Sequence, residues 1–100
     1  MQSISVTELS NLIHSDTKLI IIDVRSVQEF EKAHLPNARN VPLPELEEEL
    51  KVWKGDTKMI TVCTKGGGRS SKAASLLRDH GFSSAFLEGG TIAWLELQSA

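Results

Sequence analysis

A single cysteine stands in the 100-residue chain, which excludes an internal disulfide, fits a reducing compartment and leaves one thiol free for chemistry. Long apolar runs are missing too. The longest, Leu19 to Ile22, has the length of a strand, whereas a bilayer-spanning helix needs roughly 20 residues. Basic charge is not in excess: the net charge of -2 and a pI near 5.9 argue against nucleic acid as a partner, because phosphate-backbone binding needs a clustered basic face. Only Lys65, Arg69 and Lys72 form a local basic group. His14, His34 and His80 are far apart and one cysteine cannot build a thiolate zinc site, so neither metal nor cofactor is expected. The opening MQSISVTELS has neither a basic n-region nor an apolar h-region, and a cytoplasmic protein is expected, with no membrane partner. Repeats, linkers and low-complexity segments are absent.

What remains is the composition of an ordinary globular protein, 40% hydrophobic and 24% charged, of a length that makes one domain over residues 1–100. The chain is organised around Met59 to Gly81. Met59 to Val62 reads as a buried strand that ends at Cys63; Thr64, Lys65, Gly66, Gly67 and Gly68 follow as a loop; a helix then runs from Arg69 with Ala73, Leu76 and Leu77 on one face, and Gly81 stops it. Glycine-rich turns and helix starts release N–H groups that favour negative charge. Such a field, with Lys65 and Arg69 in range by sequence, would lower the pKa of Cys63 and make it a nucleophile. The same cradle would bind an anionic substrate or an anionic covalent intermediate. A lone cysteine at the end of a core strand is otherwise a buried, inert residue; the KGGGR that follows favours the reactive one.

Elsewhere, Ser5-Val6-Thr7-Glu8 and Ser26-Val27-Gln28-Glu29 have the form of capping boxes, opening helices to about His14 and Phe30. Ile4 suits a short edge strand. Leu19 to Ile22 is continuous rather than alternating, as a strand covered on both faces is. Asp23 and Arg25 fall at its carboxyl edge, where ligands bind in open parallel sheets; a local salt bridge bracing the turn is favoured over direct catalysis. His34 reads as structural rather than as a general base, and Asn37, after Pro36, suits a left-handed turn. Asn40-Val41 suggests a short strand, and Leu46 and Leu50 one face of a helix whose glutamates are solvated. Trp53 packs or shields, Gly55-Asp56 turns the chain, Ser84 to Leu87 makes the last strand, and Thr91 to Leu97 a closing helix with Trp94 as a core or lid residue. This alternation predicts an α/β fold, a doubly wound parallel sheet of about five strands with helices on both faces and the loops after Ile22, Val62 and Leu87 on one rim.

Several of these residues, in order, resemble the rhodanese signature. Asp23-Val24-Arg25, Glu29-Phe30, Ala33-His34-Leu35-Pro36-Asn37-Ala38 and Asn40-Val41-Pro42 stand where that family has DVR, EF, GHI-PGA and NIP. Val62-Cys63 with Gly66 and Arg69-Ser70, then Gly89-Gly90 with Trp94, extend the likeness over nearly the whole chain. The resemblance implies a single-domain sulfurtransferase in which Cys63 takes a sulfane sulfur from a small anionic donor such as thiosulfate and passes it, as a persulfide, to a thiol or protein acceptor. It departs in loop length: Cys63 and Arg69 are six apart, one more than usual, as in the C-x5-R loop of cysteine phosphatases and the Cdc25 phosphatases on this fold. Phosphatase or arsenate reductase chemistry therefore stands as an alternative, and a sulfur-binding or partner-docking module as another. Against the phosphatase, the loop holds no carboxylate to serve as general acid, and Val62 occupies the position of the histidine that commonly precedes a phosphatase cysteine.

Overall fold

The computed structural model describes residues 3–15, 18–55 and 57–99. Strands and helices alternate: β1 (Ser3–Ile4), α1 (Val6–His14), β2 (Leu19–Asp23), α2 (Val27–Lys32), β3 (Arg39–Asn40), α3 (Leu43–Glu49) with a 3-10 turn over Leu50–Val52, β4 (Lys58–Val62), α4 (Gly68–Asp79), β5 (Ser84–Leu87) and α5 (Gly90–Ser99). The five strands form one parallel sheet in the order β1-β5-β4-β2-β3. Because every strand runs the same way, the loops after β2, β4 and β5 leave from one edge, as expected.

The pleat divides the core in two. Ile21, Ile60 and Val62 pack with Leu9 of α1 and Trp94 of α5, whereas Ile22, Met59 and Cys63 pack with Leu46 of α3 and with Ala73 and Leu77 of α4. Alternate residues of β2 and β4 thus bury into opposite layers, which is why the run Leu19 to Ile22 is apolar without a break. Trp94 is a core residue, and Trp53 packs edge-on against Phe82 with ring centroids 6.5 Å apart.

Local chemistry sets the element ends. Both capping boxes form: the Ser5 and Ser26 hydroxyls accept the N–H groups of Glu8 and Glu29, and those carboxylates accept the serine N–H groups in return. Asn37 is left-handed, with φ 61°. Several boundaries differ from the sequence pattern, among them the closing helix, which runs over Gly90–Ser99 rather than Thr91 to Leu97. α2 continues to Lys32, β3 covers Arg39–Asn40 rather than Asn40-Val41, and α4 begins at Gly68, so that this glycine belongs to the helix. Pairing with the rim of β2 decides the register of β3, and only the folded sheet contains that information. Of the expected turn at Gly55-Asp56, Asp56 lies outside the described residues.

Asp23 and Arg25 form the buried brace at this rim. Arg25 Nη2 lies 2.7 Å from Asp23 Oδ2 and donates to the carbonyl of Ala33 at 2.6 Å, while Nε donates to Asp23 Oδ1 at 2.9 Å. Asn40 Nδ2 then donates to the carbonyls of both Asp23 and Arg25. This network ties the β2–α2 turn to β3 and to the end of α2. Removing one partner of a buried pair strands the other charge, which typically costs about 3–5 kcal/mol. Asp23→Ala is therefore expected to lose at least about 3 kcal/mol in urea unfolding; a loss under about 1 kcal/mol, the level of an exposed pair, would show that the pair is not a brace.

Candidate active site

Cys63 follows the last residue of β4, on the face covered by α4, and only 4% of its surface is exposed. The loop after it is shaped by α5. Thr91 N–H donates to the Cys63 carbonyl at 2.9 Å and Ile92 N–H to the Thr64 carbonyl at 3.1 Å, so the start of α5 takes the carbonyls of the loop. Backbone packs on backbone here. Gly66 (φ 72°) and Gly90 (φ 59°) leave no room for a side chain: a Cβ on Gly66 would overlap Gly89 N and Leu87 O, and one on Gly90 would overlap the Cys63 carbonyl.

On the other side stands α4. Its N-cap, Gly67, makes no side-chain cap bond, in contrast to the serines that open α1 and α2. The N–H groups at this end are therefore left to serve the sulfur. Ser70, in the first turn, places its hydroxyl 3.1 Å from Cys63 Sγ and donates to the Gly67 carbonyl at 3.3 Å. Ser70 is itself fixed by Thr61 of β4, whose buried hydroxyl donates to the Ser70 carbonyl at 2.7 Å. Burial pushes the Cys63 thiol up, but the Ser70 hydroxyl and the N–H groups of Gly67, Ser70 and Gly66 outweigh it and hold the pKa below the ordinary thiol value. On ionisation the Ser70 proton can turn from the Gly67 carbonyl to the sulfur.

Cys63, Thr64, Lys65, Gly67, Gly68 and Arg69 line one open depression, which brings together all of the expected loop residues except Gly66. Gly66 lies beneath, against Gly89 and Gly90. Asp23 and Arg25 are not in the lining; they brace the neighbouring turn, the role favoured from sequence. His34 is also elsewhere, stacked on Phe30 at 3.9 Å with Nδ1 2.8 Å from the Phe30 carbonyl. The leading causes of the lowered thiol pKa are neutral donors, whereas Lys65 and Arg69 were the charges expected from sequence.

Two site residues escape the sequence reading. Ser70 carries a weak signal, one position past Arg69 in the first turn of the helix. Glu29 reads from sequence as the second half of a capping box and as part of the EF pair of the family signature, with no place at the site. In the fold it also lines the depression and pairs with Arg69, forty residues on, at 2.8 Å. The Arg69 guanidinium and the N–H of Ser26 hold its carboxyl down to about 2. Among the described residues there is no group of three or more His, Cys, Asp or Glu that could hold a metal ion, and no helix is long and apolar enough to cross a membrane.

The fold and the site define a parallel α/β domain that holds one thiol against backbone N–H groups at the carboxyl edge of its sheet. The chain belongs to the rhodanese-like domain family, whose model matches residues 5–97. Putative sulfurtransferase YtwF of Bacillus subtilis is 29% identical over 94 residues, 94% of this chain and 90% of that protein. Putative sulfur carrier protein YrkF of the same organism is 34% identical over 79 residues, 79% of this chain, which spans only 42% of that longer protein. A crystal structure of a rhodanese-related protein from Thermoplasma volcanium superposes with a TM-score of 0.86 at 30% identity, covering 97% of this chain and 93% of the other.

Three outcomes are expected of this geometry. Gly66→Ala should lose about 2 kcal/mol or more of stability, since both the positive φ and the backbone contact oppose a methyl group; an unchanged urea midpoint would contradict the packing. Ser70→Ala should raise the Cys63 pKa, read from the pH dependence of iodoacetamide alkylation. Because the folded thiol ionises below its unfolded value, Cys63 contributes stability that is fully present above about pH 8.5 and is lost as pH falls through the folded pKa. The stability difference between the wild type and Cys63→Ser should therefore grow as pH rises towards 8.5, and less so in the Ser70→Ala background.

Proposed function

We propose that this domain is a sulfurtransferase that carries a sulfane sulfur as a persulfide on Cys63. The observation that carries the proposal is the convergence of the Ser70 hydroxyl and the N–H groups of Gly66, Gly67 and Ser70 on one sulfur atom. With thiosulfate as donor, the Cys63 thiolate attacks the outer sulfur, the bond to the sulfonate sulfur breaks, and sulfite leaves with that electron pair. The product is Cys63–S–S⁻. Its terminal sulfur is anionic, and the donors of Thr64 to Arg69 stabilise it there. An acceptor thiolate then attacks the terminal sulfur and the Cys63 thiolate departs, which restores the site. Thr64, Lys65, Gly66, Gly67, Gly68 and Arg69 form the substrate cradle, and Asp23 and Arg25 support its edge.

The partners of this chemistry are a small anionic sulfur donor and a thiol or protein acceptor, with no nucleic acid and no membrane. A reducing cytoplasm suits a carrier that depends on one free thiol. The names of the relatives, a sulfurtransferase and a sulfur carrier, support the same proposal.

The six-residue step from Cys63 to Arg69 supports a second activity, on phosphate or arsenate. Phosphate-ester cleavage needs an acid for the leaving group, and the carboxylate in the lining is Glu29, ionised and bound to Arg69. Sulfur transfer from thiosulfate needs no such acid, because sulfite is a stable anion. Intact mass after thiosulfate should show the gain of one sulfur atom, removed again by cyanide, and Cys63→Ser should gain none. Release of phosphate from an aryl phosphate without any sulfur gain would replace this assignment with the second.

A further inference from the structure

Glu29 has no part in the transfer steps above, yet it stands in the lining of the same depression as Cys63. Its carboxylate faces the guanidinium of Arg69 fork to fork, Nη1 to Oε1 at 2.8 Å and Nη2 to Oε2 at 3.2 Å. The Thr64 hydroxyl lies 3.4 Å from both Glu29 Oε2 and Arg69 Nη2 and closes the group. From its own helix the carboxylate is pinned by Ser26, whose N–H and hydroxyl lie 3.1 and 3.0 Å from Oε1. A pinned acid thus draws the arginine to itself. Arg69 then spends on Glu29 the paired N–H edge that a tetrahedral oxyanion would need, and its charge is offset. Lys65 is left as the lining cation with no ion pair among the described residues.

We infer that Glu29 is a specificity-determining residue: by pairing with Arg69 it withholds that arginine from tetrahedral dianions, so that phosphate binds weakly, thiosulfate is held only by the loop N–H groups and Lys65, and a monoanionic persulfide is the better of the two sulfur donors. The preference among donors rests on the sulfur-transfer proposal; the discrimination against dianions does not. With a persulfide R–S–S⁻, the Cys63 thiolate bonds to the outer sulfur, the S–S bond breaks, and R–S⁻ leaves with its electron pair. No oxidant is consumed. The C-x5-R spacing is present in this chain, but its arginine is already engaged.

The test measures how inorganic phosphate protects Cys63 from iodoacetamide, a neutral reagent, and so needs no turnover. Glu29→Gln keeps the capping box, since glutamine serves that position as glutamate does, while removing the charge. Protection should appear at about tenfold lower phosphate in Glu29→Gln than in the wild type, a change of about 1.4 kcal/mol. Arg69→Met should show no tighter protection than the wild type, and Glu29→Gln combined with Arg69→Met should match Arg69→Met alone. Unchanged or weaker protection in Glu29→Gln would overturn the inference, as would a gain that survives in the double variant. Persulfide loading by intact mass, run in parallel, separates the two ideas: a phosphate shift without loading sinks sulfur transfer and keeps the role of Glu29, and loading without the shift does the reverse.

Discussion

The grip of α5 on the loop after β4 is the interaction on which the rest of the site depends. A peptide unit has two polar ends that point in opposite directions. With the Cys63 and Thr64 carbonyls held by the N–H groups of Thr91 and Ile92, the start of the loop is fixed, and the N–H groups of Gly66, Gly67 and Ser70 further along it reach the sulfur. Gly66 and Gly90 make this possible by letting two backbones meet without a side chain between them. The closing helix therefore shapes the loop around Cys63 although it contributes no residue to the lining of the depression.

Helix capping shows the same division of labour. α1 and α2 satisfy their first N–H groups with their own serines, and both ends serve only to start a helix or to hold an acid in place. α4 opens on Gly67 without a side-chain cap. An uncapped helix start next to a thiol is a place where the orphan N–H groups stabilise an external or covalent anion instead. Its local stability is supplied by packing, through Ala73 and Leu77 in the core and through the Thr61 hydroxyl bound to the Ser70 carbonyl.

Charge at the site is arranged in two balanced sets. The sulfur of Cys63 is served by neutral donors, which favour the thiolate and lower its pKa. The cation of Arg69 is balanced by Glu29 at the rim. Such separation leaves Lys65 as the lining cation without an ion pair among the described residues. The Asp23–Arg25 brace, buried just behind, holds the turn from which α2 brings Glu29 to this position.

The amino-acid sequence alone determined the elements and their order, since capping boxes, apolar run lengths and glycine stops are local signals. It also identified Cys63 and the loop to Arg69, because the thiol, the glycines and the helix start are adjacent along the chain. Tertiary structure decided what depends on distant residues meeting. The partnership of Glu29 with Arg69, the seating of Gly66 against Gly90, and the register that ends β3 at Asn40 all join segments with no periodic relation in sequence. Ser70 lies between the two cases. Its position beside the helix start is local, but its aim at Cys63 Sγ is set by Thr61 across the core layer, and a one-dimensional pattern does not record direction.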